Sequence, residues 1–448
     1  MKKIMIAMIS IALIGSGCSK KLDIMPTQSV DESMVFTSDA NIKAALNGAY
    51  DVAAGSYLLG GDLQLYSELL GSDGEITWVG TFNQPDEIFN KSILTNNSYV
   101  RDSYLQGYRT INICNNIIAS IDKVNEADRN SVKGQALFLR GMMYFEMVKL
   151  FAKPYSAGSV TSNPGLQIVT TPTINGAVTA ANNVARSTVQ QTYDQIIADL
   201  TAAKSIIGGE AGVYGSEYSV SAVLSRVYLQ MGNYASARDE ANNVIENSGA
   251  SLEAEYSAAF NNTFPSSEDV YVLPVTAQHG ANDLHVFWSI LDYGARDGDV
   301  EVNQSHIDLY EAGDARLNLF YLDDYDIYRS GKWKFQYKFL PVIRLAEMYL
   351  TRAECNQRLG TSVGATPDDD INGTIRTRAG LSPITIDLDA IIMERHKELA
   401  HEGQRIHDMK RLQQSADGFD YDANELVFPI PLREINASGG VLVQNAGY

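Results

Sequence analysis

Residues 98–122 and 130–151 carry apolar side chains at helical spacing for more than twenty positions each, and only a short polar segment separates them. Tyr104, Tyr108, Ile111, Ile118 and Ile121 form one stripe, and Ala136, Leu139, Met143 and Met147 form the other. Pro154 closes the second run, because a proline there breaks the helical hydrogen-bond ladder. Two long amphipathic helices with a short connection must fold back on one another as an antiparallel pair. The chain therefore has to be built around helical hairpins.

The pattern recurs downstream. Val220–Met231 and Tyr234–Asn247 flank Gly232-Asn233, and the series Ala222, Leu224, Tyr228, Gly232, Tyr234, Ala237 resembles a tetratricopeptide (TPR) hairpin: small residues where helices touch, Gly at the turn, then Tyr and Ala. A comparable pair is expected at Pro341–Leu359 (Ile343, Ala346, Leu350, Ala353) and about 368–378. A helix also starts near Asn41 after the cap Ser38, with Ile42, Ala45, Leu46 and Ala49 on its stripe. Another opens at Ser187, with Gln190 completing a capping box, and runs through Ile207. Long polar insertions interrupt the helices at 54–97, 153–186 and 250–340; the first reads as loop with little regular structure. The expected fold is mainly α: TPR-like helical hairpins forming a scaffold, with a loop-rich ligand-binding lobe inserted, since insertions on a rigid scaffold are where recognition resides.

The first residues set the compartment. Lys2 and Lys3 precede an apolar stretch from Ile4 to Ile14, then Gly15-Ser16-Gly17 and Cys18. The stretch is too short to span a bilayer, which takes about 20 residues, and reads as an export signal. Small residues followed by Cys resemble the lipobox of bacterial lipoproteins, although Gly15 stands where Leu is usual; Cys18 would become the acylated N-terminus. The expected organisation is a signal peptide over 1–17, a lipid-anchored tether over 18–37 and one domain over 38–448. Cys114 and Cys355 both lie in helical patterns and read as buried free thiols.

The net charge of −19 becomes −21 once Lys2 and Lys3 leave with the signal. Such a surface repels phosphate polymers, so nucleic acid is not an expected partner. Nucleophilic catalysis of the Ser-His-Asp or Cys-His kind gets little support from the sequence, which has six His. His396, His401 and His407, with Glu398 and Glu402, invite a zinc-protease reading. His401-Glu402 is followed by His407 at the wrong spacing for His-Glu-x-x-His, so the run Glu394–Gly403 reads as a charged helix face ended by Gly403. Asp297, Asp299 and Glu301 alternate as oxygen donors suited to Ca²⁺, but Val302 stands where an EF-hand turn needs Gly; an acidic solvated loop is the preferred reading. No other cofactor is implied. Asp323, Asp324 and Asp326 add carboxylates, but no glycosidase pair can be read from spacing.

Aromatic residues in the insertions offer more. Trp78 lies in Ser72–Gly80 near Asp73, and Trp288 lies just before Asp292-Tyr293. A flat aromatic face packs against the C–H face of a sugar while nearby acids bond its hydroxyls. Each Trp reads equally well as an anchor holding its loop to the core. The candidate ligand contacts are Trp78, Asp73, Trp288 and Tyr293.

Several blocks resemble the SusD/RagB family of outer-membrane nutrient-binding lipoproteins. They run in order as Asp39–Asp51, Gln135–Leu150, Tyr218–Ile245, Pro341–Leu359, Arg376–Leu381, Glu394–Arg411, Val427–Pro431 and Gln444–Tyr448. The resemblance implies a non-catalytic, lipid-anchored surface protein that captures a nutrient, most often an oligosaccharide. It would deliver that nutrient to a SusC-like TonB-dependent transporter. A peptide ligand, a glycoside hydrolase and a TPR scaffold that binds only proteins are the alternatives.

Overall fold

A computed structural model describes residues 35–173, 179–208, 213–276 and 282–448. The export segment 1–17 and Cys18 lie outside the described residues. Helix α1 (Asp39–Ala53) starts where Ser38 accepts a hydrogen bond from the Asn41 amide. The insertion expected to be mostly loop instead holds α2 (Asp62–Leu70), β1 (Ile76–Trp78) and α3 (Asn83–Phe89). Helix α2 is buried on every side, so it shows no one-sided stripe to read.

The long pair forms as expected: α4 (Ser98–Ala119), capped by Asn97 against the Tyr99 and Val100 amides, and α5 (Arg129–Phe151). Helix α6 (Val189–Lys204) has its capping box at Thr188 and Gln191, one residue later than Ser187 and Gln190, because Thr188 takes the extended cap conformation. Helices α7 (Glu217–Gln230) and α8 (Tyr234–Asn247) make the TPR-like hairpin. Helix α5 approaches α6 closely: a Cβ at Gly141 would come within 2.9 Å of Leu200 Cγ, and one at Gly134 within 2.8 Å of Ile207 Cα.

Strand β2 (Asp269–Leu273) is followed by α9 (Asp283–Trp288), β3 (Val300–Val302), the short α10 (Gln304–Ile307), β4 (Phe320–Leu322) and β5 (Tyr328–Ser330). Strands β1, β3, β5 and β4 form an antiparallel sheet in that order. Residues 340–344, expected as the start of a helix, are strand β6 (Leu340–Arg344), paired antiparallel with β2. A strand bonded on one side tolerates Pro341. Helix α11 (Leu345–Leu359) follows, then a π-helical segment (Asp369–Arg376), α12 (Leu388–Glu398), α13 (Arg405–Arg411) and α14 (Leu432–Ala437). Contacts run α1–α4–α5–α6–α7–α8–α11–α12, each helix on the next. Cys114 and Cys355 are buried free thiols.

The run 394–403 is not a solvated face. Glu394, Arg395, Lys397 and Glu398 are buried, and the long charged side chains in this part of the fold pair with one another. Arg344 meets Glu268, Glu398 and Glu402, and Arg378 meets Glu268 and Glu398. Arg226 and Arg395 share Glu347; Asp408 joins Arg395 to Arg411, which also meets Glu354. These pairs tie α7, α11, α12 and α13 together. At the C-terminus, Gln444 exchanges two 2.7 Å hydrogen bonds with the Ile430 backbone, and Asn445 donates to the Phe151 and Phe428 carbonyls.

Candidate ligand-binding site

The two tryptophans do not face solvent. Trp78 is 5% exposed: on β1 it alternates inward with Ile76, and its ring meets Phe287 edge-on at 5.6 Å. Trp288 is 0% exposed, on the inward side of α9 with Leu284 and Phe287. Both are loop anchors, and neither can stack on a ligand. The signal was local: inward alternation in Ile76-Thr77-Trp78, and helical spacing of Leu284, Phe287 and Trp288. Tyr293 is half-buried in a cluster with Tyr321 and Phe335, with the Lys334 ammonium 4.0 Å from its ring centre. Asp73 sits elsewhere, partly exposed at the mouth of a cavity, accepting from the Asp417 amide. The four residues do not form one site.

Two of the three acids in the run 297–301 face arginines. Asp299 accepts from Arg296 at 2.6 Å, Glu301 lies 3.9 Å from Arg329, and Asp297 is exposed.

Above Trp78 and Phe287 lies an open aromatic face that no motif announced. Phe82, at the start of α3, is 37% exposed, and Tyr57 is 39% exposed. Phe82 touches Tyr99 and Phe287 at 6.3 and 6.2 Å. The Arg296 guanidinium lies 4.1 Å from the Phe82 ring centre and bonds Thr81 Oγ1 at 2.9 Å. Tyr57 and Tyr99 both sit in the field of Asp62 and Asp283. Burial, then the charge of Asp283, raises the Asp62 carboxyl well above its ordinary range. Burial also pushes Asp283 up to about 6, against hydrogen bonds from Asp62 and Ser56. The two carboxyls are hydrogen-bonded neighbours, and Asp62 Oδ1 is buried with no donor among the described residues. Exposed rings beside a carboxylate and a guanidinium offer a sugar both a stacking surface and hydroxyl partners.

A second concavity, of about 570 Å³, lies behind Asp73. Its wall holds Glu75, His306, His396, His401 and Arg405. His306 Nδ1 and His396 Nε2 approach one oxygen of Glu75 at 2.7 and 2.8 Å, and Arg405 bonds the other at 3.1 Å. Burial alone would raise the Glu75 carboxyl, but the two imidazoles and Arg405 outweigh it and hold it low. Burial depresses His306, and more strongly His401. Of the three histidines considered together from the sequence, His396 and His401 line this cavity; His407 is buried elsewhere, in the field of Lys149 and Lys410.

Comparison with known proteins places this architecture. A family model described as starch-binding and associating with the outer membrane (SusD-like) matches residues 20–229, and the SusD family model matches 321–427. A SusD-like protein P2 from Formosa agariphila is 25% identical over the full length of both chains. The crystal structure of a SusD superfamily protein from Bacteroides thetaiotaomicron superposes with a TM-score of 0.80 at 24% identity, covering 91% of this chain and 99% of that one. A SusD-like carbohydrate-binding protein from Bacteroides vulgatus gives 0.71 at 25% identity, covering 85% and 84%. Two family models spanning most of the helical scaffold, a full-length relative and the shared fold agree, and the chain belongs to the SusD/RagB family.

Proposed function

We propose that this protein is a non-catalytic, lipid-anchored outer-membrane receptor, facing the cell exterior, that binds an oligosaccharide. The glycan lies across Phe82, Tyr57 and Tyr99, with Asp283 and Arg296 bonding its hydroxyls, and is passed to a SusC-like TonB-dependent transporter. The observation that carries this reading is the exposed Phe82 ring, fixed from below by Phe287 and flanked by Arg296. The carbohydrate-binding relative of the same fold supports the ligand class. Asp62 and Asp283 argue for binding over cleavage. They lie within hydrogen-bonding reach of each other, whereas glycosidase carboxylates stand roughly 5–9.5 Å apart to admit the sugar carbon or a water.

A glycan array identifies the ligand, and calorimetry on it compares Phe82→Ala and Tyr57→Ala with the parent. Each variant should bind about tenfold more weakly or worse while unfolding at the parent temperature. Unchanged affinity in both would overturn the assignment, and cleavage of the glycan by the purified protein would overturn the non-catalytic reading. Cys18→Ser should free the protein from membranes, and the acylated protein should co-purify with a large outer-membrane barrel.

A further inference from the structure

The cavity behind Asp73 gathers three donors from distant parts of the chain: Glu75 between α2 and β1, His306 on α10 and His396 on α12. Their ligand atoms all lie within 4.8 Å of one another. Two nitrogens converge on a single carboxylate oxygen. The Tyr310 hydroxyl donates to the Lys397 carbonyl at 3.0 Å and lies 3.3 Å from His306 Nε2. His306 Nδ1 stands 2.7 Å from Glu75 Oε2.

From this arrangement we infer a binding site for a divalent transition-metal ion of the Zn²⁺ class, held by Glu75 Oε2, His306 Nδ1 and His396 Nε2.

Two imidazoles and one carboxylate suit Zn²⁺ and its neighbours, whereas Ca²⁺ and Mg²⁺ prefer sets made only of oxygen. Zn²⁺ bonds of about 2.0–2.1 Å put tetrahedral ligand atoms roughly 3.3 Å apart, so each nitrogen would retreat about half an ångström from Glu75, and the two nitrogens would settle at that same spacing, to admit the ion. The supporting contacts are those a metal site uses: Tyr310 orients His306, and Arg405 holds the outer oxygen of Glu75. His401 stacks on His306 with 4.9 Å between ring centres and stiffens that wall. Three protein ligands leave a fourth position open to the cavity for water or a ligand oxygen. The ion would clasp three segments distant in the chain, so it should stabilise the fold by mass action. This site is separate from the Phe82 face and does not depend on the glycan reading.

The test uses untagged protein stripped with chelator, titrated calorimetrically with ZnCl₂, CaCl₂ and MgCl₂ at neutral pH, alongside thermal unfolding. One Zn²⁺ per chain should bind, raise the unfolding temperature and show no competition from the other two ions. His396→Gln keeps an amide donor for Glu75 and should fold, yet lose more affinity than the roughly 10–100-fold that removal of a supporting hydrogen bond costs. Tyr310→Phe should fall within that 10–100-fold range. Co²⁺ in place of Zn²⁺ should give visible absorption of a low-coordinate nitrogen–oxygen site that His396→Gln abolishes. Absence of stoichiometric Zn²⁺ binding by the parent, or equal binding by His396→Gln, would overturn the proposal.

Discussion

The indole of Trp288 lies 4.3 Å from the imidazole of His401, centre to centre, with 31° between their planes, and both rings are buried. His401 in turn rests on His306, so one tryptophan supports a wall of the histidine cavity. Trp288→Ala would open a large void there and should cost roughly 3–5 kcal/mol of stability. The exposed Phe82→Ala should cost less than about 1 kcal/mol. Guanidinium denaturation of the two variants distinguishes an anchor from a ligand contact. Equal, small losses would contradict the anchor role of Trp288.

Arg344 is enclosed among Glu268, Glu398 and Glu402. Arg344→Met would strand acidic groups where water cannot reach them, a loss of about 3–5 kcal/mol or outright misfolding. Arg433, largely in solvent near Glu434, should tolerate the same change within about 0.5 kcal/mol. Soluble yield and chemical denaturation report both.

Helix periodicity carried α4, α5, α7 and α8 into view because each has one covered face. It failed for α2, whose residues are covered all round, and for β6, where Leu-Pro-Val-Ile precedes a true helix and blurs into it. The charged run 394–403 read as a helix face, and its Glu394–Lys397 pair forms at 3.6 Å, but spacing alone cannot show that Arg344, Arg378 and Arg316 wait across the fold. The tryptophans drew notice as large rings in polar loops, yet large rings are also what fastens such loops down. Phe82 and Tyr57 carried no local mark. Glu75 and His396 stand 321 positions apart, so no motif could join them.

Glu68 is buried on α2 and accepts from the Gly403 amide at 2.8 Å. Burial pushes its carboxyl from 4.5 up to about 7, against the pull of the Gly403 amide and Arg405. The folded chain thus keeps a proton that the unfolded chain releases near 4.5. Unfolding sheds that proton within this window, so stability falls as pH rises from about 4.5 to 7 and is flat for this group above it. Burial raises Asp269 to about 7 as well, and it adds a second contribution of the same sign. Glu68→Gln keeps an oxygen for Gly403 and should flatten part of the slope. Denaturation midpoints across that range provide the measurement, and an unaltered slope would contradict the assignment.

Asp283 gives the ligand face a pH dependence of the opposite sense. Its carboxyl ionises at about 6, and burial with its neighbour's charge raises the Asp62 carboxyl beside it well above the ordinary range. Sugar hydroxyls bond an ionised acceptor more strongly than a neutral one, by about 1 kcal/mol or roughly fivefold in affinity. Glycan affinity should therefore climb as pH rises through about 6 and level off above it. Asp283→Asn removes the ionisation but keeps the shape, so its affinity should be low and nearly independent of pH. Calorimetry on both sides of that pH decides the matter: a variant retaining the parent's pH profile would show that another group sets it, whereas a flat profile would assign the hydroxyl contact to Asp283.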